Sequence, residues 1–314
     1  MTPPIAQIIV TQRETYQQSL ASLRSLLDNT PTPRDIVIVD AGSPPRVRDA
    51  LRSEAEREPG IQLLRVEQPL APNQAKHLAM PHFRQQHLVF VENDVEFSPG
   101  WLQALRTCSD ETNAAVVAPL YLERQGDDKT RLHMLGGQCR IVEGREGRQL
   151  VQTHELRQGR TPDRLSRHMT EHIEMHGFLL NRDWLRNTDL FDPEIPSMPE
   201  NADFCLQISQ AGGTMWIEPQ ARLTVVLPQS VADEDQIFFR QRWSDEWIRR
   251  GFSRFCSKWN LTGSQPALDS QLRWAHAHRL ISYHDALYKR LGLEADSIVN
   301  RRLLAPFECW WRSR

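Results

Sequence analysis

Nowhere in the 314 residues does an apolar run approach the ~20 needed to cross a bilayer as a helix, so no membrane-spanning helix is expected. The opening residues, Met1-Thr2-Pro3-Pro4, lack a basic region followed by an apolar stretch, and no secretory signal is expected either. Cysteine is scarce. The five present (Cys108, Cys139, Cys205, Cys256 and Cys309) are odd in number and contain no CxxC pair. This argues against a disulfide framework or a zinc knuckle and favours reduced thiols in a cytoplasmic protein. Net charge is scarce too. At −2 the chain lacks the basic excess of a duplex nucleic-acid binder, and no nucleic-acid partner is expected. There is no internal repeat and no low-complexity tract.

What is present is ordinary globular material, 39% hydrophobic and 25% charged, enough for a sizeable core. Residues Ile5 to Val10 read as a short buried strand, and Leu20, Leu23, Leu26 and Leu27 follow at helical spacing until Pro31 and Pro33. Ile36 to Val39 is a second strand, ending in Asp40-Ala41-Gly42-Ser43. A helix, a strand (Gln62 to Val66), a helix (about Asn73 to Met80) and a strand (His87 to Val91) come next. Such alternation predicts an α/β fold with a parallel sheet and helices on both faces, whose ligands bind at the carboxyl ends of the strands. Residues 124–165 read as loops and short antiparallel strands. A strand is expected from near Ile173 to Leu180, a helix from Asn201 to Gln210 stopped by Gly212-Gly213, and a strand over Thr214 to Ile217. From about Ala232 the chain reads as aromatic and helical, which predicts a domain over 1–230 and a helical C-terminal extension over 231–314.

Glu92, Asp94 and Glu96 stand at the end of an apolar strand. Three carboxylates in five residues repel one another unless solvent or a cation intervenes. They make either a solvated acidic turn shaped by Asn93 or a site for a hard divalent cation such as Mn²⁺ or Mg²⁺, shared with substrate phosphates. Asp40 is either a turn aspartate or an acceptor for a nucleoside's hydrogen bonds.

Taken in order, these segments resemble glycosyltransferase family 2, with its GT-A fold, over roughly residues 5–225. The resemblance rests on Ile8-Ile9-Val10-Thr11 with Ile36 to Ser43, on Ala75-Lys76-His77-Leu78-Ala79, on Phe90 to Glu96 with Ser98-Pro99-Gly100-Trp101-Leu102, and on Gly177-Phe178-Leu179-Leu180, Leu190-Phe191-Asp192 and Glu200 to Leu206. It implies a mostly parallel, helix-flanked sheet and a metal-dependent transfer of sugar from a nucleoside-diphosphate sugar to an acceptor hydroxyl, with inversion. Thr11, Asp40, Lys76 and Asn93 would serve the donor nucleotide, and Asp94, Glu92 and Glu96 the metal. The acceptor would be a saccharide, a lipid-linked group or a peptide.

The sequence departs from the family at the general base. Where members carry an aspartate after the block's first glutamate, this chain has Asn201, whose amide cannot take a proton. Glu200 or Asp203 is the expected substitute. A histidine that often follows the next strand is also absent, since none occurs between His176 and His276. Asp233-Glu234-Asp235 either reaches into the site or is a solvated helix start. His168, His172 and His176 stack on one face of a helix; on a strand, His172, Glu174 and His176 share a face. The strand is preferred, with His176 near the reacting groups. These imidazoles are metal ligands or polar residues lining a cleft. Trp243, Trp247, Phe252, Phe255 and Trp259 fall at helical spacing and read as packing. The tail, Arg301-Arg302-Leu303-Leu304 with Trp310-Trp311-Arg312, is either buried or in peripheral contact with a membrane. Two rival readings remain, both tied to sequence features. Asn201 and the missing histidine suit a GT-A-fold binding protein without turnover. A nucleotidyltransferase would want a glycine-rich loop after the first strand, and Thr11-Gln12-Arg13-Glu14 has no glycine.

Overall fold

The computed structural model describes residues 4–125, 130–155, 165–187 and 190–283, with single positions at 298, 299, 302, 303, 307 and 310. The first half follows the expected alternation. Strand β1 (Gln7–Thr11) leads through helix α1 (Ser19–Asp28) to β2 (Ile36–Ala41). The chain continues through α2 (Pro45–Arg57) to β3 (Ile61–Val66), and through α3 (Pro72–Ala79) to β4 (His87–Glu92). β1 lies parallel between β2 and β4, and β2 pairs in parallel with β3. The two-residue repeat of each strand decides which helix a side chain meets. Ile8, Val10, Ile36 and Ile38 share one core with Leu23 and Leu26 of α1 and Val47 and Leu51 of α2. Ile9, Val37, Val39 and Phe90 turn the other way and pack with Ala75 and Ala79 of α3. Burial on both faces is why these strands read as continuous apolar runs.

β5 (Val95–Phe97) and helix α4 (Trp101–Thr112) lead into β6 (Val116–Gln125), on which β7 (Arg131–Met134) folds back. β8 (Cys139–Gly144) and β9 (Gly147–Gln152) form a separate hairpin, followed by β10 (His168–Thr170), β11 (Gly177–Asn181), α5 (Glu200–Gln210) and β12 (Met215–Leu227). The large sheet runs β10-β12-β6-β11-β4-β1-β2-β3, with β11 antiparallel to both of its neighbours. The continuous parallel run is therefore limited to β3-β2-β1-β4, and the remainder is mixed. The short strand expected at 214–217 is the start of β12, whose later part, Leu223 to Val225, pairs with β5 and holds the turn after Glu92.

The strand expected from near Ile173 is corrected: β11 begins at Gly177, and residues 171–175 run outside the sheet, while the His176 carbonyl still accepts the Glu92 N–H at 3.1 Å. The Thr170 hydroxyl is responsible. It accepts from the His172 backbone N–H at 3.2 Å and donates to the His172 carbonyl at 3.0 Å, turning the chain as β10 ends.

Helices α6 (Gln236–Arg242), α7 (Asp245–Trp259) and α8 (Pro266–Arg279) complete the described fold, with Ser244 capping α7 through the Trp247 N–H. Their aromatics are shared with the sheet. Phe238 joins the α1–α2 core and Phe255 the α3 core, while Phe239, Trp243 and Ile248 form a smaller one. No helix among the described residues is long and apolar enough to cross a membrane. Leu303, Phe307 and Trp310 are exposed; Arg301, Leu304, Trp311 and Arg312 lie outside the described residues.

Candidate active site

β1 and β4 end side by side, Thr11 opposite Glu92, and Asn93 shapes the exit from both. Its side-chain carbonyl accepts the Arg13 backbone N–H at 3.0 Å, and its amide donates to the Thr15 carbonyl and the Ser19 hydroxyl, each at 2.7 Å. This latch carries Arg13 into the carboxylates: its guanidinium is 2.8 Å from Asp94, 3.3 Å from Glu14 and 3.8 Å from Glu92. Glu92 in turn meets His176 Nδ1 at 2.7 Å. Glu92, Asp94 and His176 form a buried group whose ligand-type atoms lie within 4.8 Å of one another.

Burial opposes every charge here, and the outcome differs by residue. Around Arg13, Glu14, Asp94 and Glu92 outweigh burial and raise the guanidinium above its ordinary value. His176 and Arg13 outweigh burial at Glu92 and lower it, and the same pairing raises His176. At Asp94 burial wins over Arg13 and raises the carboxyl. Burial also lowers the Lys76 ammonium, against the pull of Glu92 and Glu200.

Thr11, Asp40 and Asn93 line one narrow cavity of about 20 Å³ with Tyr16. One Asp40 oxygen pairs with Arg65 at 2.8 Å. The other Asp40 oxygen, Thr11 Oγ1, Lys76 Nζ and Asp94 Oδ1 are buried without a hydrogen-bond partner. Each such atom costs ~1–3 kcal/mol if left unmet. Glu96 is apart from this group: its side chain is 44% exposed and pairs with Arg124. Strand alternation explains the separation, since Glu96 lies between the buried Val95 and Phe97 of β5.

A cleft of about 440 Å³ adjoins the buried group and includes Arg13, Glu92 and His176 in its lining. Helix α8 lends it Ala267, Ser270, Gln271 and Trp274, one face at i, i+3, i+4 and i+7. Gln152, His154 and Glu174 also line it. His172 Nδ1 lies 3.1 Å from the Thr153 carbonyl, and Nε2 lies 2.9 Å from the Gln152 amide and 3.2 Å from that of Asn201. Burial lowers His172 to about 4. The neutral ring therefore donates from Nδ1 and accepts at Nε2. Glu174 sits 3.4 Å from His154 and, through its other oxygen, 3.4 Å from the Asn201 amide. Burial is outweighed at Glu174 by His154, His172 and the other imidazoles, which hold it at about 2. His154, His172 and Glu174 make a second compact group of ligand-type atoms. His168 stands apart on β10, its ring between the Ser166 and Leu135 carbonyls.

The two expected bases on α5 are held in different ways. Glu200 lines the cleft but is ion-paired with the buried Arg242. Asp203 is outside the cleft lining, 2.9 Å from Lys258 and 2.8 Å from both Trp259 and Gln207. Two residues along a helix is roughly 200° of rotation, which turns position 203 away from Asn201. Asp235 receives the Tyr16 backbone N–H at 3.0 Å, and burial raises it to about 6. Sequence reasoning missed Arg13, His154, Gln271 and Trp274. The α8 residues carried a signal in their spacing; Arg13 and His154 carried none.

The family model described as Glycosyl transferase family 2 matches residues 8–187. Human Polypeptide N-acetylgalactosaminyltransferase 15 is 28% identical over 121 residues, covering 38% of this chain and 19% of that protein. A crystal structure of GalNAc-T7 with UDP, GalNAc and Mn²⁺ superposes with a TM-score of 0.58 at 16% identity, covering 88% of this chain and 55% of that one. S. aureus TarS 1-349 in complex with UDP-GlcNAc gives 0.51 at 12% identity, covering 87% and 72%. This chain thus spans about a fifth of the human relative and about half of the GalNAc-T7 chain. At these identities the structural likeness establishes the fold, which is GT-A.

Proposed function

The chain belongs to glycosyl transferase family 2, and on that premise we propose that it moves a sugar from a nucleoside-diphosphate donor to an acceptor hydroxyl, with inversion. The observation that carries this reading is the set of unmet polar atoms on Thr11, Asp40, Lys76 and Asp94. A nucleotide sugar supplies complementary groups: a base and ribose for Thr11 and Asp40, and phosphate oxygens for Lys76. Asn93, its amide committed to Arg13, Thr15 and Ser19, fixes the shape of that pocket. The two relatives crystallised with UDP or UDP-GlcNAc support a uridine nucleotide and a hexosamine-type sugar.

The residues present fit a divalent cation. Asp94 keeps one buried oxygen without a partner, and Glu92 and His176 lie within ligand reach of it. Two carboxylates and an imidazole suit Mn²⁺ better than the oxygen-only preference of Mg²⁺. When bound, such an ion neutralises the diphosphate as the sugar–phosphate bond breaks. Arg13 places a fixed positive charge beside the same carboxylates, and the pairing with Glu92 favours a proton on His176 that a bound ion would displace.

The amides of Gln152, Asn201 and Gln271 and the ring of Trp274 in the cleft suit a hydroxyl-rich saccharide acceptor, alone or on a lipid or peptide. Free thiols at Cys108, Cys139, Cys205 and Cys256 support a reducing compartment such as the cytoplasm. Exposed Leu303, Phe307 and Trp310 support peripheral membrane contact. Asn201 favours a second reading, a binding protein without turnover. Incubation with a panel of UDP- and GDP-sugars and Mn²⁺ separates them: release of UDP is expected from at least one UDP-hexosamine. Binding of UDP with no release from any donor favours the second reading.

A further inference from the structure

We propose that Glu174 is the general base of the transfer, taking the place that Asn201 leaves without a proton acceptor. The inference rests on the glycosyl-transfer reading above. It follows from asking which carboxylate of the cleft is neither paired with an arginine nor assigned to the cation. Asp94 shares its charge with Arg13 at 2.8 Å, and Glu92 is bound to His176 at 2.7 Å. Glu200 is ion-paired with Arg242, and Asp203 is enclosed by Lys258, Trp259 and Gln207. Glu174 lines the cleft, and its two polar neighbours, His154 and the Asn201 amide, are each 3.4 Å away. Such long contacts leave its lone pairs available to an incoming O–H.

Asn201 then has a reason to be an amide. A carboxylate at 201 would face that of Glu174 across about the same distance, and two carboxylates sharing a site cannot both ionise. The amide instead donates to Glu174 and to His172 Nε2. The base has moved from the start of α5 to the segment between β10 and β11, and the residue at 201 has become its support. His154 is half exposed and touches Glu174, which gives the proton a way out to solvent.

In the step itself the acceptor O–H gives its proton to a Glu174 oxygen, and the acceptor oxygen bonds to the anomeric carbon. The bond from that carbon to the β-phosphate oxygen breaks, its electron pair leaving with the nucleoside diphosphate. The protonated carboxyl afterwards returns its proton to solvent.

The test uses UDP-GlcNAc and UDP-GalNAc, with water as acceptor and with azide, which attacks without losing a proton. Glu174→Gln should lower UDP release to water by ~10²–10⁴-fold while UDP affinity, read by calorimetry, stays unchanged. Azide should restore turnover in that variant by forming the glycosyl azide. Asn201→Asp added to Glu174→Gln should recover hydrolysis, because it returns a carboxylate to α5. Wild-type release surviving Glu174→Gln overturns the assignment. So does a loss in Glu174→Gln that neither azide nor Asn201→Asp recovers, or that is matched by weaker UDP binding. A wild type that binds UDP but releases none from either sugar nucleotide overturns the glycosyl-transfer reading itself, and this inference with it.

Discussion

Two groups in this protein combine histidine and carboxylate side chains, and they are held in opposite ways. Glu92, Asp94 and His176 are buried at the ends of strands beneath the Arg13 guanidinium. His154, His172 and Glu174 lie on segments that have left the sheet, and their neighbours include the amides of Gln152 and Asn201 and the Thr153 carbonyl. The first group trades charge with charge and is suited to a cation and a diphosphate. The second keeps an uncharged imidazole and an ionised carboxylate with spare lone pairs, which face the cleft. On the function proposed above, the same residue types would serve different chemistry because one set sits under an arginine and the other among dipoles.

Removing the arginine is the strongest way to break that contrast. Arg13→Met leaves Glu14, Glu92 and Asp94 buried around a missing cation, and should cost about 3–5 kcal/mol of stability, measured by urea denaturation. Mn²⁺ should recover part of the loss. A cost below about 1 kcal/mol would mean the first group does not depend on charge compensation.

The second group should show itself in the acid limb of stability. His172 is held below its ordinary 6.5, at about 4, so between those values the unfolded chain binds a proton that the folded chain refuses. Its contribution is complete above pH 6.5 and is lost as pH falls toward 4. Glu174, held at about 2, contributes above its ordinary 4.5 and loses that contribution as pH falls toward 2. Stability should therefore drop by up to ~1.4 kcal/mol per pH unit from His172 alone between pH 6.5 and 4. His172→Gln should flatten the slope in that window. An unchanged slope would show that the ring is already charged in the fold.

The smallest effect is expected at Glu96. Its pairing with Arg124 is partly exposed, so Glu96→Gln should change stability by less than about 1 kcal/mol and leave UDP binding and turnover intact. A collapse of Mn²⁺ binding in that variant would restore Glu96 to the metal site.

The strand-end half was legible in the sequence because its information is local. β1, β2 and β4 are short, mostly apolar runs, and Asp40, Glu92 and Asp94 stand where the runs stop. The cleft was legible only in pieces. Glu92 meets His176 across 84 positions, Arg13 meets Asp94 across 81, and Gln271 meets Gln152 across 119; no local pattern records such folding back. The alternation of polar His172, Glu174 and His176 with apolar Ile173 and Met175 even imitates a strand, although residues of both sets are buried. What ends the strand is the single hydroxyl of Thr170. Asn201 was visible as a departure from the family and Glu174 as part of a histidine–carboxylate face, but their contact was not.

Calorimetric titration of UDP into the protein, with Mn²⁺ and again with EDTA, tests the strand-end site most directly. Affinity should fall by at least about tenfold, or about 1.4 kcal/mol, when the ion is removed, and Asp94→Ala should lose the Mn²⁺-dependent part entirely. UDP binding of equal strength with Mn²⁺, with EDTA and in Asp94→Ala would contradict the assignment of Glu92, Asp94 and His176 to a donor-binding metal site.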